Sequence, residues 1–385
     1  MIKWNMLPPA KPDPIFSISA EARAAGKEAI DATIGVYINE EGDTKLFPSV
    51  KNAMQIILKE YSESSTTYTP LLGIPEYRNA VTELVLPNSN TPVACIATTG
   101  GTGSLAINLR LLKLLNPEIQ VCIPTPAWTN YVPLCHSANI SFQEVSVLSD
   151  CIIDHQIIIE LIKKTSEPCA ILLQAGCTNP TGIDLTEMQW KEIIPILSEC
   201  GSTVILDFAY QGFANDPKTD AKPAKILMEA GIPTLISWSA SKNHSLYRFR
   251  TGLALANIPN ENMCEKIEMN YSMLSRGLWS TAPALGQQIV AETQLNYKQE
   301  WINDLKHVRK VLEQKRSILR DNLPHSFQSQ LNGNGLFAVL PLDVDKIHSL
   351  RKEHKVFILD DGRINIAGVP AERLIEFCEK VSSVI

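Results

Sequence analysis

Apolar positions along the chain fall into two rhythms. Between about residue 92 and residue 240, short β-rich runs recur at Val93–Thr98, Gln120–Ile123, Ile140–Val147, Cys169–Gln174, Thr203–Leu206 and Thr234–Trp238. Between several of them lie stretches with helical spacing, at Gly103–Leu115, Asp154–Lys164, Thr186–Glu199 and Lys222–Ala230. Such alternation predicts a largely parallel sheet with helices on both faces, and ligands that bind beyond the carboxyl ends of its strands. Before this core, residues 1–45 read as irregular with one short helix, Ala20 to Ala29. Ser49 to Glu60 then carries Val50, Met54, Ile57 and Leu58 on one side and predicts an amphipathic helix. A Ser/Thr/Tyr-rich loop, Ser64 to Gly73, precedes a helix opened by Pro75. After residue 260 the pattern is helix-rich. Tyr297 to Leu319 has Trp301, Leu305, Val308, Val311 and Leu312 at helical spacing, long enough to link two domains. Leu336–Leu340 and Arg363–Ala367 read as strands of a smaller α+β domain.

Composition narrows the class. The 385 residues are 45% hydrophobic and 20% charged, which fits a folded globular chain of about two domains. A net charge of −6 argues against a nucleic-acid partner, which would need a basic face. No apolar run reaches about 18 residues, so no membrane span is expected, and Met1 to Pro14 shows no export signal. Nine scattered cysteines, none at C-x-x-C spacing, predict reduced thiols in a cytoplasmic protein. The seven histidines form no metal-binding spacing, so no metal site is expected.

The residues that could carry chemistry collect at predicted strand ends. The run Pro233 to Trp238 ends in Ser239-Ala240-Ser241-Lys242-Asn243, with Arg250 eight residues past the lysine. Burial at a strand mouth lowers an amine pKa and makes a nucleophile for carbonyl carbon. Thr98-Thr99-Gly100-Gly101-Thr102-Gly103 follows a strand and opens a helix, a setting in which backbone N–H groups can cradle a phosphate. It also fits a relaxed dinucleotide pattern through Gly101, Gly103 and Ala106, but the next strand ends in Ile123-Pro124-Thr125-Pro126 without the acidic residue that pattern needs. Asp207 ends an apolar strand, where a carboxylate is costly without a cation or donors. Asn179 opens a Pro-Thr-Gly turn, Trp128 could be a flat platform, and Arg363 stands as a fixed cation in an apolar strand. Each of these has an ordinary structural reading when taken alone. Together they match what pyridoxal 5′-phosphate requires: a lysine for its aldehyde, a carboxylate for its ring nitrogen, donors for its phenolic oxygen, a phosphate cup with an arginine, and a stacking ring.

The sequence resembles the aspartate and aromatic amino acid aminotransferases, which are fold-type I pyridoxal-phosphate enzymes. The resemblance runs through nearly the whole chain. It rests on Asp207-Phe208-Ala209-Tyr210-Gln211-Gly212-Phe213, Asn179-Pro180-Thr181-Gly182, Ser239-Ala240-Ser241-Lys242-Asn243, Arg250-Thr251-Gly252 and Gly362-Arg363-Ile364-Asn365, with looser matches at Tyr68-x-Pro70-x-x-Gly73 and Trp279-Ser280. It implies an α/β fold with a mostly parallel seven-stranded sheet between helices over residues 46–295, and a small α+β domain from residues 1–45 and 296–385. It implies that Lys242 condenses with the cofactor's aldehyde and moves the proton at the substrate Cα. Asp207 would partner the ring nitrogen, Asn179 and Tyr210 the phenolic oxygen, and Trp128 the ring face. Gly101, Thr102, Ser239 and Arg250 would hold the phosphate. Tyr68 would reach the phosphate of a neighbouring subunit, which implies a homodimer with shared active sites. Arg363 would grip the substrate α-carboxylate, Ile34 and Gly35 would close over the substrate, and Arg276 would bind a distal carboxylate in the partner's site. Enzymes of this kind that also take aromatic substrates keep that arginine and swing it aside. Four places depart from the pattern: Gly100 stands for a serine, Thr178 for a histidine, Trp279 for a tyrosine, and Thr281-Ala282 for an Asn-Pro pair.

The reaction implied is transfer of an amino group between an L-amino acid, aspartate or tyrosine and phenylalanine, and a 2-oxo acid such as 2-oxoglutarate or oxaloacetate, by a ping-pong route. The alternatives are a pyridoxal-phosphate lyase or decarboxylase on the same scaffold, a nicotinamide oxidoreductase built on Gly101–Ala106, and a non-enzymatic cofactor-binding protein.

Overall fold

The structure is a computed structural model and describes residues 3–7, 9, 12–38, 44, 46–89, 91–149, 151–165 and 169–385. The chain divides into two compact units. The smaller comprises Met1–Thr44, Lys315–Leu331 and Leu336–Ile385, and the larger Lys45–Gln314 with Asn332–Gly335.

The larger unit is built on a seven-stranded sheet. Its strands are β1 (Ala94–Thr99), β2 (Gln120–Thr125), β3 (Ser141–Ser146), β4 (Ala170–Gln174), β5 (Thr203–Phe208), β6 (Thr234–Ser239) and β7 (Thr251–Asn257), in the spatial order β1-β7-β6-β5-β4-β2-β3. All pairings are parallel except those of β7, which runs antiparallel to both β1 and β6. Every residue of β6 and β7 is buried, the polar Thr234, Ser237, Ser239, Thr251 and Asn257 included. The edge strand β3, Ser-Phe-Gln-Glu-Val-Ser, is more open, with Phe142 and Val145 half-buried and the polar residues exposed.

Helix α1 (Gly100–Leu115) packs its Leu105, Ile107, Leu109 and Leu112 into the main core. Buried polar ties fix it to the sheet. Ser104 Oγ donates to the Leu253 carbonyl at 3.0 Å, and Asn108 Nδ2 donates to Ser237 Oγ at 2.9 Å. The Tyr271 hydroxyl, from helix α2 (Cys264–Leu278), donates to Asn108 Oδ1 at 2.7 Å. Helix α3 (Lys298–Asn322) supplies the buried Trp301 and Leu305 to this unit, and the boundary between the units falls within it.

In the smaller unit Phe337–Val339 pairs antiparallel with Arg363–Asn365, and Ile30–Asp31 pairs parallel with Val356–Phe357. Its core includes Ile30, Leu319, Leu340, Ile347, Leu350, Ile364 and Phe377.

The alternating stretch folds as its hydrophobic rhythm predicts, with strand ends within a residue or two. Three differences have local causes. The expected helix Ala20–Ala29 lies earlier, at Pro14–Ala24, because Asp13 caps it by accepting from the N–H groups of Ile15 and Phe16, and Gly26 (φ 76°) turns the chain out. Helix α1 starts at Gly100 rather than Gly103, since the glycine run is itself the first turn. The seventh strand that the resemblance implies, β7, is not located by the hydrophobic pattern; its Gly252-Leu253-Ala254-Leu255-Ala256 carries little β-branched signal, yet pairing on both sides makes it a strand.

One buried side chain ties the sheet to the segment after β5. Gln211 is fully buried; its Nε2 donates to the carbonyls of Leu84 (2.7 Å) and Pro217 (2.9 Å), and its Oε1 accepts from Trp238 Nε1 (3.0 Å). Replacing it by leucine strands two carbonyls and an indole N–H. The variant Gln211→Leu is expected to lose roughly 2–4 kcal/mol of stability, read from urea unfolding; an unchanged midpoint would show that these bonds contribute little.

Candidate active site

Lys242 lies in a single helical turn, Ala240–Asn243, directly after β6, where Ser239 caps the turn by accepting from Ser241 N–H at 3.2 Å. The turn is backed by packed rings. Trp301 Nε1 donates to the Asn243 carbonyl at 2.6 Å, and the buried His244 stacks on Trp301 at 4.9 Å between centroids. Burial pushes the His244 imidazole down to about 3, so it is a neutral spacer. Lys242 Nζ stands 4.8 Å from the centre of the Tyr210 ring. Burial holds its pKa down at about 8; the Asp207 charge opposes that shift and the Arg250 charge adds to it.

Asp207 sits one strand over, near the end of β5, in register with Ser237 of β6 and Gln174 of β4. It is buried, and burial pushes its carboxyl up to about 6. Two influences oppose this. The Tyr131 hydroxyl donates to Asp207 Oδ2 at 2.7 Å, and the Lys242 charge is nearby. Tyr131 also packs edge-on against Trp128, at 5.4 Å between centroids and 88° between planes. The sequence reading omits Tyr131. Its position three residues after Trp128, on the segment leaving β2, is the only signal the sequence offers.

The anion cup is assembled from three strand ends. At Gly100 (φ 74°) an added Cβ would lie 2.6 Å from Arg250 Nη2, and at Gly101 it would lie 2.9 Å from Ser239 Cβ. Glycine at Gly100 therefore meets both a backbone and a space requirement. Arg250, itself left-handed at φ 51°, donates from Nη1 to Ser241 Oγ (3.3 Å) and to the Tyr247 carbonyl (3.2 Å). Thr102 is half-buried in the first turn of α1. The helix start, the Ser239 hydroxyl and the Arg250 guanidinium thus border the space that a Cβ on Gly100 or Gly101 would fill. That donor set fits a phosphate.

Asn179 is buried in the turn after β4, which two side chains hold. Gln174 Oε1 accepts from Asn179 N–H at 2.7 Å. Asp184 accepts from the N–H groups of Cys177 and Thr178, at 2.8 and 2.9 Å, and from the Thr178 hydroxyl at 2.7 Å. The peptide bonds before Pro126 and Pro180 are cis.

Within the larger unit the structure thus gathers Lys242, Asp207, Tyr210, Trp128, Gly101, Thr102, Ser239 and Arg250 at one end of the sheet, with Asn179 on the turn after the adjacent β4. Tyr68, 91% exposed, and the exposed Arg276, whose Nη1 donates to Ser280 Oγ at 3.0 Å, project from its surface. The remaining three belong to the smaller unit. Arg363 is buried, donates from Nη2 to the Thr33 carbonyl at 3.0 Å and lies 4.9 Å from the Phe337 ring centre. Asn365 Nδ2 donates to the carbonyls of Ile34 (2.6 Å) and Val36 (2.8 Å), which fixes the Ile34–Gly35 segment beside it.

Comparison with known proteins agrees with this geometry. Residues 27–381 match the family Aminotransferase class I and II. The chain is 31% identical over 375 residues to the aromatic-amino-acid aminotransferase of Paracoccus denitrificans, covering 94% of this chain and 95% of that one. It is 27% identical over 391 residues to the aspartate aminotransferase of Escherichia coli (strain K12), covering 98% of each. The crystal structure of the aromatic-amino-acid aminotransferase from Burkholderia pseudomallei covalently bound to pyridoxal phosphate superposes with a TM-score of 0.95 over 100% of both chains, at 24% identity. The chain belongs to the class I and II aminotransferases. It is a pyridoxal-phosphate-dependent aminotransferase of the aspartate and aromatic amino acid type, which moves an amino group between an amino acid and a 2-oxo acid.

The site carries a stability cost that can be measured. The folded chain binds a proton at Asp207 more tightly than an unfolded one, about 6 against 3.8. The charged carboxylate therefore costs stability at pH above about 6, and the cost disappears as pH falls toward 3.8. In protein prepared without cofactor, Asp207→Asn is expected to raise stability at pH 7–8 by roughly 1–3 kcal/mol, with the gain shrinking between pH 6 and pH 4. Denaturant titrations across that range read it; a pH-independent difference would contradict the assigned cause.

Proposed function

We propose that this aminotransferase takes dicarboxylic and aromatic L-amino acids as donors, and returns the amino group to 2-oxoglutarate or oxaloacetate in a ping-pong cycle. The observation that carries the reading is the juxtaposition of Lys242, its basicity lowered by burial, with the buried Asp207 on neighbouring strand ends beside the Gly100–Arg250 cup. Bound pyridoxal phosphate supplies an electron sink conjugated to the substrate Cα. The protein's residues do the rest. Lys242 Nζ takes the proton from the substrate Cα and returns it; a pKa of about 8 leaves an appreciable neutral fraction at physiological pH. Asp207 would hold a proton on the ring nitrogen, Asn179 and Tyr210 would donate toward the phenolic oxygen, and Trp128 would cover the ring. Gly101, Thr102, Ser239 and Arg250 would bind the phosphate. Arg363 binds the substrate α-carboxylate through the two-pronged geometry of a guanidinium, with Ile34 and Gly35 beside the substrate.

The exposed Tyr68 ring and the exposed Arg276 support a homodimer with shared sites, in which Tyr68 would reach the partner's phosphate and Arg276 the distal carboxylate of the partner's substrate. The functional split proposed with it assigns residues 46–295 to the cofactor-binding domain and residues 1–45 and 296–385 to the small domain. All nine cysteines are free, and among the described residues no helix is long and apolar enough to cross a membrane; both support a cytoplasmic enzyme.

Rapid mixing of the yellow enzyme with aspartate, tyrosine or phenylalanine tests this. Each should bleach the lysine-linked absorbance in one turnover and release the matching 2-oxo acid. Lys242→Ala should lack that absorbance and lose at least ~10³-fold in turnover. Arg276→Ala should lose about 10- to 100-fold in kcat/KM for aspartate, as expected for a charged hydrogen bond, and change little for phenylalanine. Ammonia or carbon dioxide as the main product would overturn the assignment to transfer.

A further inference from the structure

The hydroxyl of Tyr131 is the one protein hydrogen bond that reaches the Asp207 side chain among the described residues, and it goes to Oδ2 alone. The phenol has little freedom to leave. Its ring is buried, meets Trp128 edge-on, and forms part of the wall of an apolar cavity with Pro124, Pro126, Ala127, Ile153 and Leu172. Burial and the neighbouring Asp207 charge keep its own ionisation well above that of an ordinary tyrosine, so it stays a neutral O–H donor throughout the working range. A carboxylate in this place needs a donor to remain charged, because burial favours its neutral form.

Resting on the functional reading above, we propose that Tyr131 is a positioning residue for cofactor binding: its O–H fixes the orientation of the Asp207 carboxylate and keeps it charged, leaving Oδ1 to meet the protonated ring nitrogen of pyridoxal phosphate. Tyr131 acts through Asp207 and need not touch the cofactor itself. A purely packing role would make the ring matter and the hydroxyl irrelevant.

A double-mutant cycle on pyridoxal-phosphate affinity separates the two. The variants are Tyr131→Phe, Asp207→Asn and both together, titrated with pyridoxal phosphate and followed by quenching of protein fluorescence and by the lysine-linked absorbance. Tyr131→Phe keeps the ring and is expected to weaken cofactor binding about tenfold, the lower end for a hydrogen bond to a charged group. With Asn at position 207 the same change should cost less than twofold, since no charge is left to stabilise. Thermal unfolding of Tyr131→Phe checks that it folds. Equal cofactor loss in both backgrounds, or wild-type affinity in Tyr131→Phe, would overturn the inference while leaving the functional reading intact. A wild-type protein whose absorbance does not depend on Lys242 would overturn the reading and this inference with it.

Discussion

Two ionisable side chains, each disfavoured in its charged form by burial, face the same end of one sheet. Lys242 is held near 8 and Asp207 near 6, so the ordinary preference of each for charge is weakened without being reversed. Neither state would persist on an isolated surface loop, where water would restore ordinary ionisation. It requires strands β5 and β6 to be parallel neighbours, so that both chain exits, and hence both groups, emerge on one edge. Helix α1, fixed to β6 and β7 through Asn108 and Ser104, covers that part of the sheet. The rest of the larger unit reads as the means of keeping this pair close, dry and separately adjustable.

The supports are polar and local. Gln211 spans three elements below Asp207, and Gln174 and Asp184 hold the turn that carries Asn179. Asp220 accepts from the N–H groups of Gly212, Ala214 and Asn215 and so shapes the segment after Tyr210. None of these contacts pairs opposite charges; apart from the Gln211–Trp238 bond, each satisfies backbone groups that would otherwise be left bare. Loops that could wander are thereby given the rigidity of the strands that feed them.

Much of this was legible in the sequence, for identifiable reasons. The parallel strands are short apolar runs with turn signals at both ends, and the chemical residues sit where those runs stop, so Lys242, Asp207 and Asn179 could be placed at strand ends by counting. Gly100 and Gly101 could be read as a phosphate turn because only a close approach favours two adjacent glycines at a helix start. Strand β7 was not legible, since its identity comes from partners on both sides and not from its own residues. Tyr131 was not legible either. A tyrosine in a polar-aromatic segment says nothing of which carboxylate it will meet, and that meeting depends on β2 and β5 arriving from distant parts of the chain. The buried Gln211 and Asn108 were hidden for the same reason: their partners are backbone atoms of elements remote in sequence.

The reversed direction of β7 bears on how the protein acquires its cofactor affinity. Because β7 runs opposite to its neighbours, its first residue, Thr251, lies level with the last residue of β1, Thr99, and Gly252 lies level with Ser239. The hydroxyl, the guanidinium and the glycine turn of the phosphate cup therefore come from the first and the last two strands of the sheet in chain order. A nascent chain can pair β6 with β7 almost at once, but β1 must wait through the whole intervening sequence before it gains its only neighbour. The cup is thus the last part of the seven-stranded sheet able to form during synthesis. Pyridoxal phosphate would bind only a finished fold, and by mass action it would hold that fold shut at its slowest seam.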